Sequence, residues 1–266
     1  MKFFIKNFLN TKMLIAFLLV ALWSFLYVED YITASEITNN NFNVLEPAIY
    51  LLSNKSVSAF LFVLCFVFSF CDVPFEDGIL PYYVYRSGYK RWHNKLIAFT
   101  VVFCIIFILI PIITSVAFGA IKGFLSLNIW SSTAILTANG GAPKLSFVPE
   151  ITLGIMEYSP AEALLFSFVL TFLHYFFIAM ILLVINSMLK KTWGVMFVTA
   201  LETTGFILSM TYPKISRIFP FVSGSFEENV FCVLEAVSGF LIICAVLIII
   251  SRFSIKKYEF ESGEAK

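Results

Sequence analysis

The sequence predicts an all-α polytopic membrane protein. It is read as six transmembrane helices, an amphipathic interfacial helix at the amino terminus, and both termini in the cytoplasm. Three observations lead there. Of 266 residues, 60% are hydrophobic and 13% charged, with a mean hydropathy of +0.91. A soluble domain is about 45–50% apolar and about 25% charged, so this chain has more apolar surface than one core can hide, and lipid is its solvent for most of its length. The apolar residues also gather into runs separated by polar segments, and the basic residues are shared unevenly among those segments.

Taken in order, residues 1–12 alternate Lys2, Lys6 and Lys12 with Phe3, Phe4, Ile5, Phe8 and Leu9. At helical spacing this is a basic, aromatic segment suited to lying on the bilayer surface. A secretory signal also places a basic head before an apolar run, but Glu29-Asp30-Tyr31 offers no small-x-small cleavage site. Residues 13–28 are therefore read as a retained first span. Residues 29–55, with Asn39-Asn40-Asn41 and Pro47, read as a polar external loop. The second span, 57–71, is short, which a thinned bilayer or an extension at either end accommodates. A polar, basic segment follows at 72–95. The third span, 96–118, contains Pro111 and is expected to kink there. Residues 119–160 form a long external segment punctuated by Gly140-Gly141, Pro143, Pro149 and Pro160. The remaining spans are 161–189, 193–210 and 230–251, with a short external loop at 212–229. The chain reads as a single transmembrane domain without an internal repeat.

Six spans place both termini on one side, and the basic residues decide which. Lys2, Lys6, Lys12, Arg86, Lys90, Arg91, Lys95, Lys190, Lys191, Arg252, Lys256, Lys257 and Lys266 fall on one face, so 13 of the 18 Lys and Arg lie there. Lys55, Lys122, Lys144, Lys214 and Arg217 fall on the other. The positive-inside rule assigns the first face to the cytoplasm of a cell membrane. Acidic residues, Glu36, Glu46 and Glu157 among them, favour the outer loops.

Few residues within the spans are polar. Glu202 lies midway along the fifth, and Glu235 lies early in the sixth. A charge at the bilayer centre costs roughly 2.5–3.5 kcal/mol on insertion scales, so such residues face a bundle interior or a wet cavity. They are candidates for a translocation path, or for polar contacts between helices. His174 and Asn186 in the fourth span are further candidates, on faces about 120° apart. With His93 the only other histidine, the sequence offers no metal site. The five cysteines show no zinc spacing and read as small apolar fillers. No G-x-x-x-x-G-K-[ST] occurs, so any ATP-driven work needs a separate polypeptide. This chain is expected to be no enzyme and to hold no cofactor of its own, and its net charge of +1 gives no reason to expect nucleic acid.

The segment 72–95 is the densest positive cluster between two apolar runs, and a cytosolic partner could grip the chain there. Within it, YVYRSGYKRWHNKL at 83–96 resembles the cytoplasmic segment between the second and third spans of ABC transporter permeases of the type-two exporter class. The matching features are Arg86, the Ser87-Gly88 turn, Lys90-Arg91, the aromatic Trp92, and Lys95 entering the next span. The six-span layout and the amphipathic start also look like that family. The resemblance implies that Tyr85, Arg86, Ser87, Gly88, Tyr89, Lys90, Arg91, Trp92 and Lys95 couple to a cytosolic P-loop ATPase that carries ATP and Mg. It also implies a second permease subunit, identical or homologous. Tyr89 and Trp92, three residues apart, would then enter a groove on the ATPase, while Lys90, Arg91 and Lys95 pair with its acids or with lipid phosphates. Asp72, Glu76 and Asp77 offer internal bracing. Aromatic, sparsely charged spans suit a lipid, a peptide or another amphipathic cargo. Two other classes stay open: an ion-coupled carrier or channel using Glu202 and Glu235, and a non-transporting immunity or scaffold protein.

Overall fold

A computed structural model describes residues 11–54, 61–73, 86, 88–139, 152–189, 191–211 and 233–264. The amino-terminal amphipathic segment, most of the second loop, residues 140–151 and the loop before the last helix lie outside these. The described residues form helices α1 (Thr11–Thr38), α2 (Glu46–Ser53), α3 (Phe62–Phe70), α4 (Tyr89–Gly119), α5 (Ser132–Ala138), α6 (Pro160–Met188), α7 (Lys191–Thr211) and α8 (Val233–Glu264). A 3-10 turn at Ile155–Glu157 precedes α6.

Four helices are long and apolar enough to cross a membrane: α1, α4, α6 and the Val233–Ser254 part of α8. α7 runs 21 residues, and its stretch Trp193–Leu208 is apolar. Of the expected second span, the nine residues of α3 are helical, and residues 55–60 are not described. The multi-pass helical character of the chain thus stands on four helices.

Two boundaries differ from the sequence reading for identifiable reasons. α1 does not end at residue 28 but continues to Thr38, because no Pro, Gly or Asn interrupts it before Asn39, whose φ of 52° turns the chain. Residues 46–53, expected to be external loop, form α2 with Ile49, Leu51 and Leu52 fully buried. Pro47 sits in the first turn of this helix, where its missing N–H costs nothing, so it starts a helix rather than breaking one. Pro111 is likewise contained within the continuous α4.

The core is organised on α6. Its start is fixed by a capping box: Ser159 Oγ accepts from the Glu162 N–H, and Glu162 Oε2 accepts from the Ser159 N–H at 2.9 Å. Every residue from Leu173 to Val184 is buried, as expected of a helix apolar on all faces. In its apolar stretch 72% of residues are buried within the chain, against 17–39% in the other three long helices. α8, α7, α2, α4 and α3 pack around it. Lipid tails give helices little hydrophobic reason to associate, so close packing carries more of the load. An aromatic stack supplies it here. Phe66 lies 5.0 Å from Tyr175 and 5.4 Å from Phe103, and Phe70 lies 5.3 Å from Phe103. Phe17 reaches the same ring from α1 at 6.0 Å.

Contacts between helix ends sort the bundle into two ends. At one, Lys12 pairs with Asp72 at 2.8 Å, Asn186 donates to the Cys71 and Val73 carbonyls, and His93 meets Ser251 at 2.8 Å. The start of α4 and the later part of α8 therefore lie together with the end of α3. This basic end also carries Lys90, Arg91, Arg252 and Lys256. At the other end residues 39–54 and 120–139 form a layer. Val44 N–H donates to the Phe124 carbonyl, and Phe124 N–H donates to that of Phe42. Lys122 pairs with Glu36 nearby.

Candidate functional site

The basic end is built around the start of α4. Gly88 has φ 73° and ψ 137°, a conformation that other residues rarely adopt. Its carbonyl accepts the Trp92 N–H at 3.1 Å, so a glycine turn leads directly into the helix. From there the faces separate. Arg86, Lys90, Arg91, Asn94 and Lys95 are exposed, and Tyr89 is half-buried. Trp92 and His93 are each only 3% exposed. Tyr85 and Ser87 lie outside the described residues.

The placement of Trp92 differs from the expectation that it reaches outward into a partner. It joins the chain's own core with Leu96 and Phe103. The signal was present in the sequence: Trp92, His93, Leu96, Thr100, Phe103, Cys104 and Phe107 recur at three- and four-residue steps. This is the inward stripe of the third span extended one turn into the basic segment. Asp72 pairs with Lys12 of α1, and Glu76 and Asp77 lie outside the described residues.

A second polar centre lies inside the bundle. His174 Nε2 is 3.2 Å from Glu202 Oε1, with side chains 2% and 3% exposed. The pair joins α6 to α7. The Phe240 ring of α8 lies 6.0 Å from the imidazole, and Tyr175 flanks it at 6.1 Å. His174 and Glu202 are each other's polar partner in an apolar interior, where an unpaired charge would be costly. Glu202 Oε2 has no hydrogen-bond partner among the described residues. The sequence identified both residues but not the pairing, since 28 positions and a helix connection separate them.

The other two intramembrane candidates do not join this pair. Asn186 uses its amide to satisfy the Cys71 and Val73 carbonyls at 3.1 and 2.8 Å, which are orphaned by the end of α3. Its amide oxygen lies against Gly194 of α7, where a Cβ would overlap it. Glu235 is exposed in the first turn of α8, where a negative charge suits the helix dipole.

At the layer opposite the basic end, Glu46 is fully buried. Its carboxylate accepts the Ser131 N–H and Oγ–H, each at 2.7 Å, and the Asn43 N–H at 3.2 Å. Burial pushes its pKa from 4.5 up to about 7, although these three donors pull it back down. Asn43 extends the network, donating to the Ser126 and Ile129 carbonyls. In the sequence Glu46 is one of several acids in a polar loop, and nothing local marks it for burial. Among the described residues no group of His, Cys, Asp and Glu is placed to hold a metal ion. No protein-family model, curated protein or solved structure matches this chain.

Proposed function

We propose that this chain is the membrane-spanning permease subunit of an ATP-driven ABC transporter of the type-two exporter class. It would work with a second permease subunit and a cytosolic P-loop ATPase, and would move a lipid, peptide or other amphipathic cargo. The observation that carries the reading is the construction of the basic turn. A glycine that other residues cannot easily replace sets its direction, its cations face out, and Trp92 and His93 fix it to the bundle core. A plain positive-inside loop needs the charges but not the anchoring. On this reading the cytosol lies at the basic end, in keeping with the charge asymmetry, and the polar loops lie outside.

Affinity purification of the full chain from its native membrane tests this. A P-loop ATPase should copurify, and charge reversal at Arg86 and Arg91 should release it while the permease stays inserted. Recovery of no ATPase, or labelling of Lys95→Cys from the outer surface, refutes the reading. The buried His174–Glu202 pair favours a second reading, an ion-coupled carrier. Flux that follows a proton gradient, continues without ATP, and stops in Glu202→Gln would select it instead.

A further inference from the structure

Residues 120–129 lead from the end of α4 into the layer opposite the basic end, and they are turned inside out relative to a loop that faces water. Their apolar side chains point away from the protein: Ile121 is 72%, Leu125 67%, Leu127 59% and Ile129 65% exposed. Their backbone points in. The N–H groups of Ala120, Ile121, Lys122 and Gly123 donate to carbonyls in the last turn of α4 at 2.7–3.3 Å. Phe124 uses both of its backbone groups, on Phe42 and Val44. The Asn43 amide donates to the Ser126 and Ile129 carbonyls, and the Leu127 carbonyl accepts the Ala161 N–H at 3.0 Å. Ser126 Oγ accepts the Ile129 N–H, and Lys122, the one charged side chain of the stretch, pairs with Glu36. A loop in water has no use for this arrangement, since water bonds its backbone and disfavours its leucines. A non-helical segment that touches lipid needs both halves of it, because no water is there to bond a free N–H or C=O.

We propose that residues 120–129 rest in the bilayer, at the boundary between headgroups and acyl chains, with lipid covering Ile121, Leu125, Leu127 and Ile129. Continuity favours lipid over a second protein. Ile113 and Val116 of α4 are exposed just before the stretch, and the exposed Phe118 ring meets the exposed Phe25 ring of α1 at 4.8 Å. Gly119 and Ala120 follow, so the outer apolar surface of two candidate spans runs into the stretch without a polar gap. Lys122 and Asn128, both exposed, hold the depth at the interface rather than in the hydrocarbon. Trp130 comes next, its indole N–H given to the Tyr158 carbonyl at 2.8 Å, and such aromatics collect at that level. Asn43 then acts as a clamp that keeps the backbone of the stretch bonded while its side chains face lipid. With the one charge compensated, the attraction is apolar and indifferent to headgroup charge. The proposal rests neither on the transporter reading nor on which end faces the cytosol.

The test uses the full-length chain with its five cysteines replaced, in phosphatidylcholine nanodiscs loaded with one copy or two. Leu125→Cys carries a bimane label, and Asn139→Cys, exposed in the same layer, carries the same label as the aqueous control. Phospholipids with a doxyl group high on the acyl chain should quench the label at Leu125, and iodide should quench it at least about fivefold less than the label at Asn139. Adding phosphatidylglycerol should change neither result. Asn43→Ala frees the Ser126 and Ile129 carbonyls and should admit iodide to the label at Leu125; circular dichroism and elution volume report whether this variant keeps its fold. A folded Asn43→Ala with unchanged quenching overturns the clamp. Equal iodide quenching at the two positions overturns the proposal and places the stretch in water. Quenching of the Leu125 label by neither agent overturns it as well: shielding confined to two-copy discs marks a second copy as the cover, and shielding in both kinds of disc marks the chain itself.

Discussion

Replacing Glu46 by Gln should abolish a pH dependence that the wild-type layer opposite the basic end possesses. In the open layer this carboxyl titrates near its ordinary 4.5, and in the closed one at about 7. Between those values the closed form holds a proton that the open form has released. The stabilising contribution is therefore fully present below about pH 4.5 and is lost as pH rises through 7. The difference corresponds to about 3 kcal/mol, or a change of roughly a few hundredfold in the opening equilibrium, most of it between pH 5 and pH 8. The substituted amide would keep an acceptor for the Ser131 N–H but turn an amino group toward the Asn43 N–H, a loss of about 1 kcal/mol that does not vary with pH. Hydrogen exchange at the amides of Val44, Phe124 and Ser131, corrected for the intrinsic rate, measures the opening directly. Wild-type protection should fall about a hundredfold from pH 5 to pH 8, and Glu46→Gln should be flat. Protection that rises with pH in the wild type, or an equal slope in the variant, refutes the argument.

Gly194→Ala should destabilise the protein by about 1–3 kcal/mol, since the new Cβ meets the Asn186 amide. Adding Asn186→Ala should relieve part of that cost, and thermal unfolding of the two single variants and the double variant measures the coupling. His174→Leu should cost about 3–5 kcal/mol because it leaves Glu202 buried without its partner, whereas His174→Leu with Glu202→Leu should recover most of it. If the single variant melts like wild type, the pairing is wrong. Cys introduced at Lys95 should react quickly with a water-soluble maleimide and Cys introduced at Trp92 slowly, reflecting exposed and 3% exposed positions; comparable rates would place Trp92 at the surface.

The class of the protein was legible because it rests on bulk quantities. The run of apolar residues through 161–189 needed only counting, and α6 follows it closely. The boundaries that failed were those where one residue type supports opposite outcomes. Pro47 ends helices in their interior and begins them in their first turn, and nothing local separates the cases until Ile49, Leu51 and Leu52 find α6 to pack on. Continuation of α1 past Glu29 and Asp30 was hidden because acidic residues suggest water, yet a helix crosses an interface without changing conformation. The candidate site divided the same way. Exposed cations at 86–95 followed from local charge, but His174 beside Glu202 and Glu46 beneath Ser131 are long-range pairings, which helix crossing geometry sets and spacing along the chain does not encode.

The burial of Trp92 changes how force would pass through the proposed handle. A side chain seated in a motor's groove delivers a push at one contact. Here the aromatic is seated in the bundle, so a push on Arg86, Lys90 or Arg91 acts on the backbone of α4 itself. That helix runs 31 residues without interruption, about 46 Å at the α-helical rise. Its far end, Gly119, packs against Phe42 and Val44 of the opposite layer. The Asn43 and Glu46 network holds that layer through backbone groups on both of its segments. A displacement at the basic end would therefore reach the other side as tilt of one rigid element, with Phe99, Phe103 and Phe107 carrying it sideways into α3 and α6. On the proposed function, the aromatic stack and the Glu46 network are parts of one lever, and loosening either should uncouple the two ends without altering the exposed cations of the basic turn.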